Sequence, residues 1–266
     1  MTEGYLGRDV QLRIIDAHVH IGKNPSTKYY DLGDLERDLS EAGAQGAVIF
    51  AFPEDIYRKT NSPAYRLEAN RYILEVAQKS EGLYLYPFYF VWNDYLLPEN
   101  LESYAGIKWH RHADEPKYDY EDPRSLTFLR RVKELKMPVL LEEGFEETLA
   151  FVKRNPELCV IIPHMGRLNG GYELMESFFP NPNVYFDTST AEPSAIRWVL
   201  EHVGPRRIIF GSDVSGTREP YYNFPKVELK KLKGLGLEKE VLEAILSGNI
   251  ERLMEPWLLR IRGKER

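Results

Sequence analysis

The chain has 266 residues, 43% of them hydrophobic and 29% charged, with a formal net charge of -6. That length suits one large globular domain over residues 1–266. No run of about 18 apolar residues exists to span a membrane, and an acidic chain without a basic patch argues against nucleic acid as a partner.

The polar start, Met1–Arg13, has no apolar stretch ahead of a small-residue cleavage site, so a cytoplasmic location is expected. The first strand is predicted at Leu12–His18, within Ile14-Ile15-Asp16-Ala17-His18-Val19-His20-Ile21-Gly22. Side chains two apart on a strand share a face, so His18 and His20 project together and form half of a divalent-metal site. Further apolar runs follow at Ala47–Phe52, Leu83–Phe90, Ala105–Trp109, Pro138–Leu141, Cys159–Pro163, Val184–Asp187 and Arg207–Phe210. Several are continuous in Val, Ile, Leu and Phe, as expected when both faces of a parallel sheet are covered. The only cysteine, Cys159, reads as an inert buried thiol in one of these runs.

Amphipathic segments lie between the runs. Pro63 opens one carried by Leu67, Ile73, Val76 and Ala77, and Asp122-Pro123 caps another with a stripe of Leu126, Leu129, Val132 and Leu135. Glu192-Pro193 opens a third, with Ile196, Val199 and Leu200, and a fourth, Glu238–Leu246, is expected to stop at Gly248.

Eight strands alternating with helices over about 250 residues predict a single (β/α)8 TIM barrel with its active site at the C-terminal ends of the strands. A doubly wound open sheet is the second possibility, but no Gly-rich turn follows the first strand. Segments after the strands are long (Gly22–Tyr30, Pro53–Ser62, Val91–Leu101, His110–Glu121, Gly166–Gly171, Val214–Pro225). Those before them are often short, such as Lys136-Met137 and Gly204-Pro205. Long loops after the strands belong on an active face.

The strand ends carry the chemistry. The fourth ends in Lys108 and His110, the fifth in Glu142, the sixth in His164 and the eighth in Asp213. Five of six histidines (His18, His20, His110, His112, His164) fall at or just past strand ends, and only His202 sits within a helix. Lys108, His110 and Arg167 are candidate substrate-binding residues, and the tyrosine-rich loops (Tyr29-Tyr30, Tyr118, Tyr120, Tyr221-Tyr222) could line a pocket or bury a homo-oligomer contact.

The order Ile15-Asp16-Ala17-His18-Val19-His20, Gly106-Ile107-Lys108, Pro163-His164-Met165-Gly166, Phe210-Gly211-Ser212-Asp213 and Gly248-Asn249-Ile250-Glu251-Arg252-Leu253 resembles the amidohydrolase superfamily. Within it, the chain resembles the amidohydrolase-2 branch of aminocarboxymuconate-semialdehyde decarboxylase-like enzymes. The resemblance covers nearly the whole chain. It implies a barrel with a divalent metal, usually zinc, at its mouth. His18 and His20 would be ligands, Asp213 a ligand and proton acceptor for the metal's water, and His164 a ligand or the group that polarises the reacting carbonyl. A bound divalent ion lowers the pKa of water from about 15.7 to about 7. One residue departs from the pattern. The family commonly places histidine near the end of the fifth strand, where this chain has Glu142 in Pro138-Val139-Leu140-Leu141-Glu142-Glu143-Gly144. As a ligand, Glu142 would weaken the metal's Lewis acidity and open the site, where zinc is expected, to manganese or iron as well. Lys108 would bind a substrate carboxylate, or become carboxylated and bridge two metals as in other branches.

The expected function is a metal-dependent hydrolase of a small amide, ester or lactone. Its rivals are a nonoxidative decarboxylase of an aromatic or unsaturated acid, a non-catalytic metal-binding scaffold, and a metal-dependent nuclease or phosphatase, the last disfavoured by the lack of a basic groove.

Overall fold

The computed structural model describes residues 12–25, 28–57, 62–111 and 117–264; His112 and most of the polar start lie outside them. Eight parallel strands follow one another in chain order: β1 (Ile15–Asn24), β2 (Gly46–Ala51), β3 (Tyr84–Val91), β4 (Gly106–His110), β5 (Val139–Glu142), β6 (Val160–Ile162), β7 (Val184–Asp187) and β8 (Ile208–Ile209). Each pairs in parallel with the next. Ala47 to Ala51 of β2 are almost wholly buried, as their unbroken apolar sequence requires of a strand covered on both faces.

The resulting sheet curls. Beyond β8 the chain returns to β1, where Ala17 N–H donates to the Phe210 carbonyl at 2.8 Å and Asp213 N–H to the His18 carbonyl at 2.9 Å. An isolated parallel bridge joins Val19 to Val214. The register of β1 on β2 slips between Asp16 and Val19. Asp16 Oδ1 fills the irregularity, accepting from His18 N–H at 3.1 Å and from Ser212 N–H at 2.9 Å.

Nine α-helices occur among the described residues: α1 (Leu32–Ala42), α2 (Pro53–Tyr57), α3 (Pro63–Lys79), α4 (Pro123–Glu134), α5 (Phe145–Arg154), α6 (Pro193–Val203), α7 (Phe224–Lys233), α8 (Lys239–Glu243) and α9 (Asn249–Lys264). Local chemistry sets their starts. Asp31 and Asp34 cap α1 reciprocally, and Ser62, Asp122 and Asn223 accept backbone N–H groups at α3, α4 and α7. On α1, Leu35 and Leu39 are fully buried, each contributing about 1.5–3 kcal/mol. No helix among the described residues is long and apolar enough to cross a membrane.

Two expectations are corrected. The segment Gly22–Tyr30 is not simply a loop: β1 runs on to Asn24 and pairs antiparallel with Lys28–Tyr30. Gly22 tucks against Phe52 and Asp55, where a Cβ would stand 2.8 Å from the ring. Gly248 does not end a helix either. Ala244–Gly248 forms a π-turn that joins α8 to α9, with Asn249 N–H donating to Ala244 and not to Ile245. The released Ile245 carbonyl accepts Phe210 N–H at 2.9 Å, which fastens this helical segment to the strand leading into Asp213.

Candidate metal centre

His18, His20, His164 and Asp213 converge where β1, β6 and the segment after β8 end. All three imidazoles are held from behind in the same sense. His18 Nδ1 donates to the Asp187 carboxylate at 2.7 Å, His20 Nδ1 to the Ala51 carbonyl at 3.1 Å, and His164 Nδ1 to the Ser189 carbonyl at 3.0 Å. These oxygens only accept, so each ring in its neutral form carries its proton on Nδ1 and keeps a lone pair on Nε2. Burial, helped by Lys108, pushes the His18 pKa down and so favours the neutral ring.

The Nε2 atoms meet one carboxylate. His18 Nε2 lies 3.4 Å and His20 Nε2 3.6 Å from Asp213 Oδ1. Ligand atoms of His18, His164 and Asp213 all fall within 4.8 Å of one another. Two atoms each about 2.0–2.1 Å from a tetrahedral metal stand about 3.3–3.4 Å apart, so the spacing fits a zinc-sized ion. His18 Nε2 is moreover buried without a hydrogen-bond partner, an expensive arrangement in a protein interior unless a cation takes the lone pair. Burial lifts the Asp213 carboxyl, but His20, His18 and His164 reverse the effect and hold it well below the usual carboxylate range.

The backbone is strained where it presents these groups. His164 and Asp213 both adopt left-handed conformations, with φ of 58° and 60°, at a cost on the order of 1–3 kcal/mol each. Between them Gly211 admits His18: a Cβ there would stand 2.9 Å from His18 Cβ.

Glu142 sits on the other side of His164. Its Oε2 accepts from Lys108 Nζ at 2.9 Å, while Oε1 lies 3.2 Å from His110 Nε2 and 3.7 Å from His164 Nε2. Burial opposes ionisation of Glu142, yet His110 and Lys108 hold its pKa well below normal. Burial alone would lower His164, but Glu142 raises it to about 9.

A cleft of about 160 Å³ opens over these groups, lined by His20, His110, Glu142, His164 and Asp213 with Lys28, Phe52, Pro53, Glu54, Leu168 and Ser215. His110 therefore reaches the cleft. Lys108 and Arg167 do not line it: Lys108 is fully buried beneath, against Glu142 and 5.1 Å from the Phe50 ring, and Arg167 is exposed. Tyr118 and Tyr120 pack on Trp109 behind β4.

Sequence reasoning missed three contributors. Asp187, at the end of β7, holds His18 and also accepts His164 N–H at 3.2 Å, Ser189 N–H at 2.8 Å and the Ser189 hydroxyl. Asp16 ties the His18 backbone to Ser212. Lys28, at the cleft wall, donates to the Ser215 carbonyl at 3.2 Å. A carboxylate ending the seventh strand was the available signal for Asp187.

The amidohydrolase family model matches residues 15–254. Among curated proteins, none matches the sequence. Three solved structures share the fold. A probable 2-pyrone-4,6-dicarboxylic acid hydrolase from Acinetobacter baumannii is 19% identical, with a TM-score of 0.72 over 91% of this chain and 99% of that one. A 5-carboxyvanillate decarboxylase from Sphingomonas paucimobilis is 11% identical (TM-score 0.68, 92% and 99% covered). A 2,6-dihydroxybenzoate decarboxylase is 13% identical (TM-score 0.69, 91% and 98% covered).

Proposed function

Since the chain belongs to the amidohydrolase-2 family, we propose that it is a metal-dependent hydrolase of a small ester, lactone or amide, built on a closed eight-stranded barrel. The observation that carries this reading is the common orientation of the three imidazoles, each donating from Nδ1 behind and turning Nε2 towards the cleft. His18, His20, His164 and Asp213 would hold the ion, with zinc the first candidate and manganese or iron the others. A divalent ion at that point supplies Lewis acidity, polarising a carbonyl and acidifying water.

The chain's own groups do the rest. Asp213 Oδ1, within 3.6 Å of both first-strand histidines, accepts the proton of the attacking water. That proton then passes from Asp213 to the leaving group, while His164, its ring fixed by Ser189, would keep Nε2 for the ion. Phe52 stacks on His20 at 5.5 Å and, with Leu168, keeps the cleft wall apolar. Lys28 offers an ammonium to an anionic part of the substrate.

A second reading, nonoxidative decarboxylation, draws on the fold comparison: the two decarboxylases superpose with TM-scores of 0.68 and 0.69, against 0.72 for the hydrolase. The experiment is a panel of lactones, esters, amides and aromatic carboxylic acids, tested on protein stripped of metal and reloaded with zinc, manganese or iron. Metal-dependent ring opening or ester cleavage supports the first reading. Carbon dioxide release replaces it with the second. Activity that survives complete metal removal refutes the metal-dependent mechanism.

A further inference from the structure

Glu142 ends β5 directly opposite His110 of β4, and Lys108, two residues earlier, rises on the same face of β4. Both Glu142 oxygens are engaged from that side: Oε2 accepts from Lys108 Nζ at 2.9 Å and Oε1 lies 3.2 Å from His110 Nε2. Asp213, not Glu142, is the carboxylate that lies against both first-strand histidines, at 3.4 Å from His18 Nε2 and 3.6 Å from His20 Nε2. Turning it towards an ion would leave the Lys108 ammonium, fully buried and lying 5.1 Å from the Phe50 ring, without its counter-charge. Breaking a buried pair in this way is strongly destabilising.

We propose that Glu142 stands outside the metal shell and is a positioning residue, clamped by Lys108 through Oε2 so that its Oε1 orients His110 along the cleft. This rests on the metal-centre reading of the site. It removes one negative charge from the shell, so the ion keeps the Lewis acidity that a second carboxylate ligand would diminish.

The test uses the full chain, stripped of metal and titrated with Co2+, whose visible absorption bands report its ligands. Affinity is measured by chelator competition. Glu142→Gln should keep its Kd within about threefold of wild type with unchanged bands, whereas Asp213→Asn should weaken binding about a hundredfold. The His110 imidazole nitrogen resonances of the Co2+-free protein should move in Glu142→Gln, since its oriented acceptor has lost its charge. Should Glu142→Gln fail to fold, the double variant Lys108→Met/Glu142→Leu removes both charges together, and it should retain the same Co2+ affinity. Co2+ affinity lost in either variant as in Asp213→Asn, shifted bands, or unmoved His110 resonances would overturn the inference. A wild-type chain that takes up no Co2+ refutes the metal-centre reading itself.

Discussion

Asp187 and His18 meet through a 2.7 Å hydrogen bond although 169 residues separate them, and both side chains are fully buried. The second oxygen of the same carboxylate accepts the backbone N–H groups of His164 and Ser189. One buried anion thus orients an imidazole of β1 and the turn that carries the sixth-strand histidine.

Replacing Asp187 with Asn should therefore disturb the metal site without touching a ligand. Removal of such an outer partner typically costs 10–100-fold in metal affinity, and Asp187→Asn is expected in that range by chelator competition. An unchanged Kd would mean that His18 needs no anchor.

Asp16 predicts a pH dependence. Burial lifts its carboxyl from 3.8 to about 7, against the opposing bonds from Ser212 and His18. A folded-state pKa above the unfolded one gives stability that is fully present below about pH 3.8 and is lost as pH rises through about 7. Asn at this position can still accept both N–H groups but does not ionise. In metal-stripped protein, urea unfolding of Asp16→Asn should fall less than wild type between those pH values. By about pH 8 it should exceed wild type by a few kcal/mol. Parallel curves for the two proteins would rule out a buried, ionising Asp16.

Gly211→Ala introduces a Cβ 2.9 Å from His18 Cβ and 3.4 Å from the Asp187 carboxyl carbon. The expected cost is about 1–3 kcal/mol in urea unfolding, together with weaker metal binding as His18 is displaced. A variant as stable as wild type would show that the two segments can separate freely.

Lys28→Met tests the cleft wall. For a carboxylate-bearing substrate, KM should rise about tenfold with kcat little changed, while neutral substrates are unaffected. Equal losses on charged and neutral substrates would assign Lys28 to holding Ser215 in place.

What the sequence disclosed follows from the range of the signals. The positions of all eight parallel strands could be read from short apolar runs, and His18 and His20 share a direction because strand periodicity is local. His164 and Asp213 were visible as polar residues closing apolar runs. The pairing of Lys108 with Glu142 was not, since a lysine at a strand end looks the same whether it faces substrate or sinks beside a carboxylate on the neighbouring strand. Asp187 and Asp16 escaped notice because their partners lie across the fold, at His164 and Ser212. Gly248 was misread because a glycine following an apolar stripe signals a stop in an α-helix, whereas here the π-turn carries the helix past it.

That π-turn is one residue longer than the α-helical turn it replaces, and the surplus can be removed. Deleting a residue between Ala244 and Gly248 should let the helix close up, with the Ile245 carbonyl recaptured by the N–H four residues on. The Phe210 N–H, now 2.9 Å from that carbonyl, would lose its acceptor in the interior, at about 1–3 kcal/mol. A more regular helix would thus be obtained at the expense of the strand that delivers Asp213, so the irregularity protects the reactive end of the molecule from its own carboxy-terminal packing.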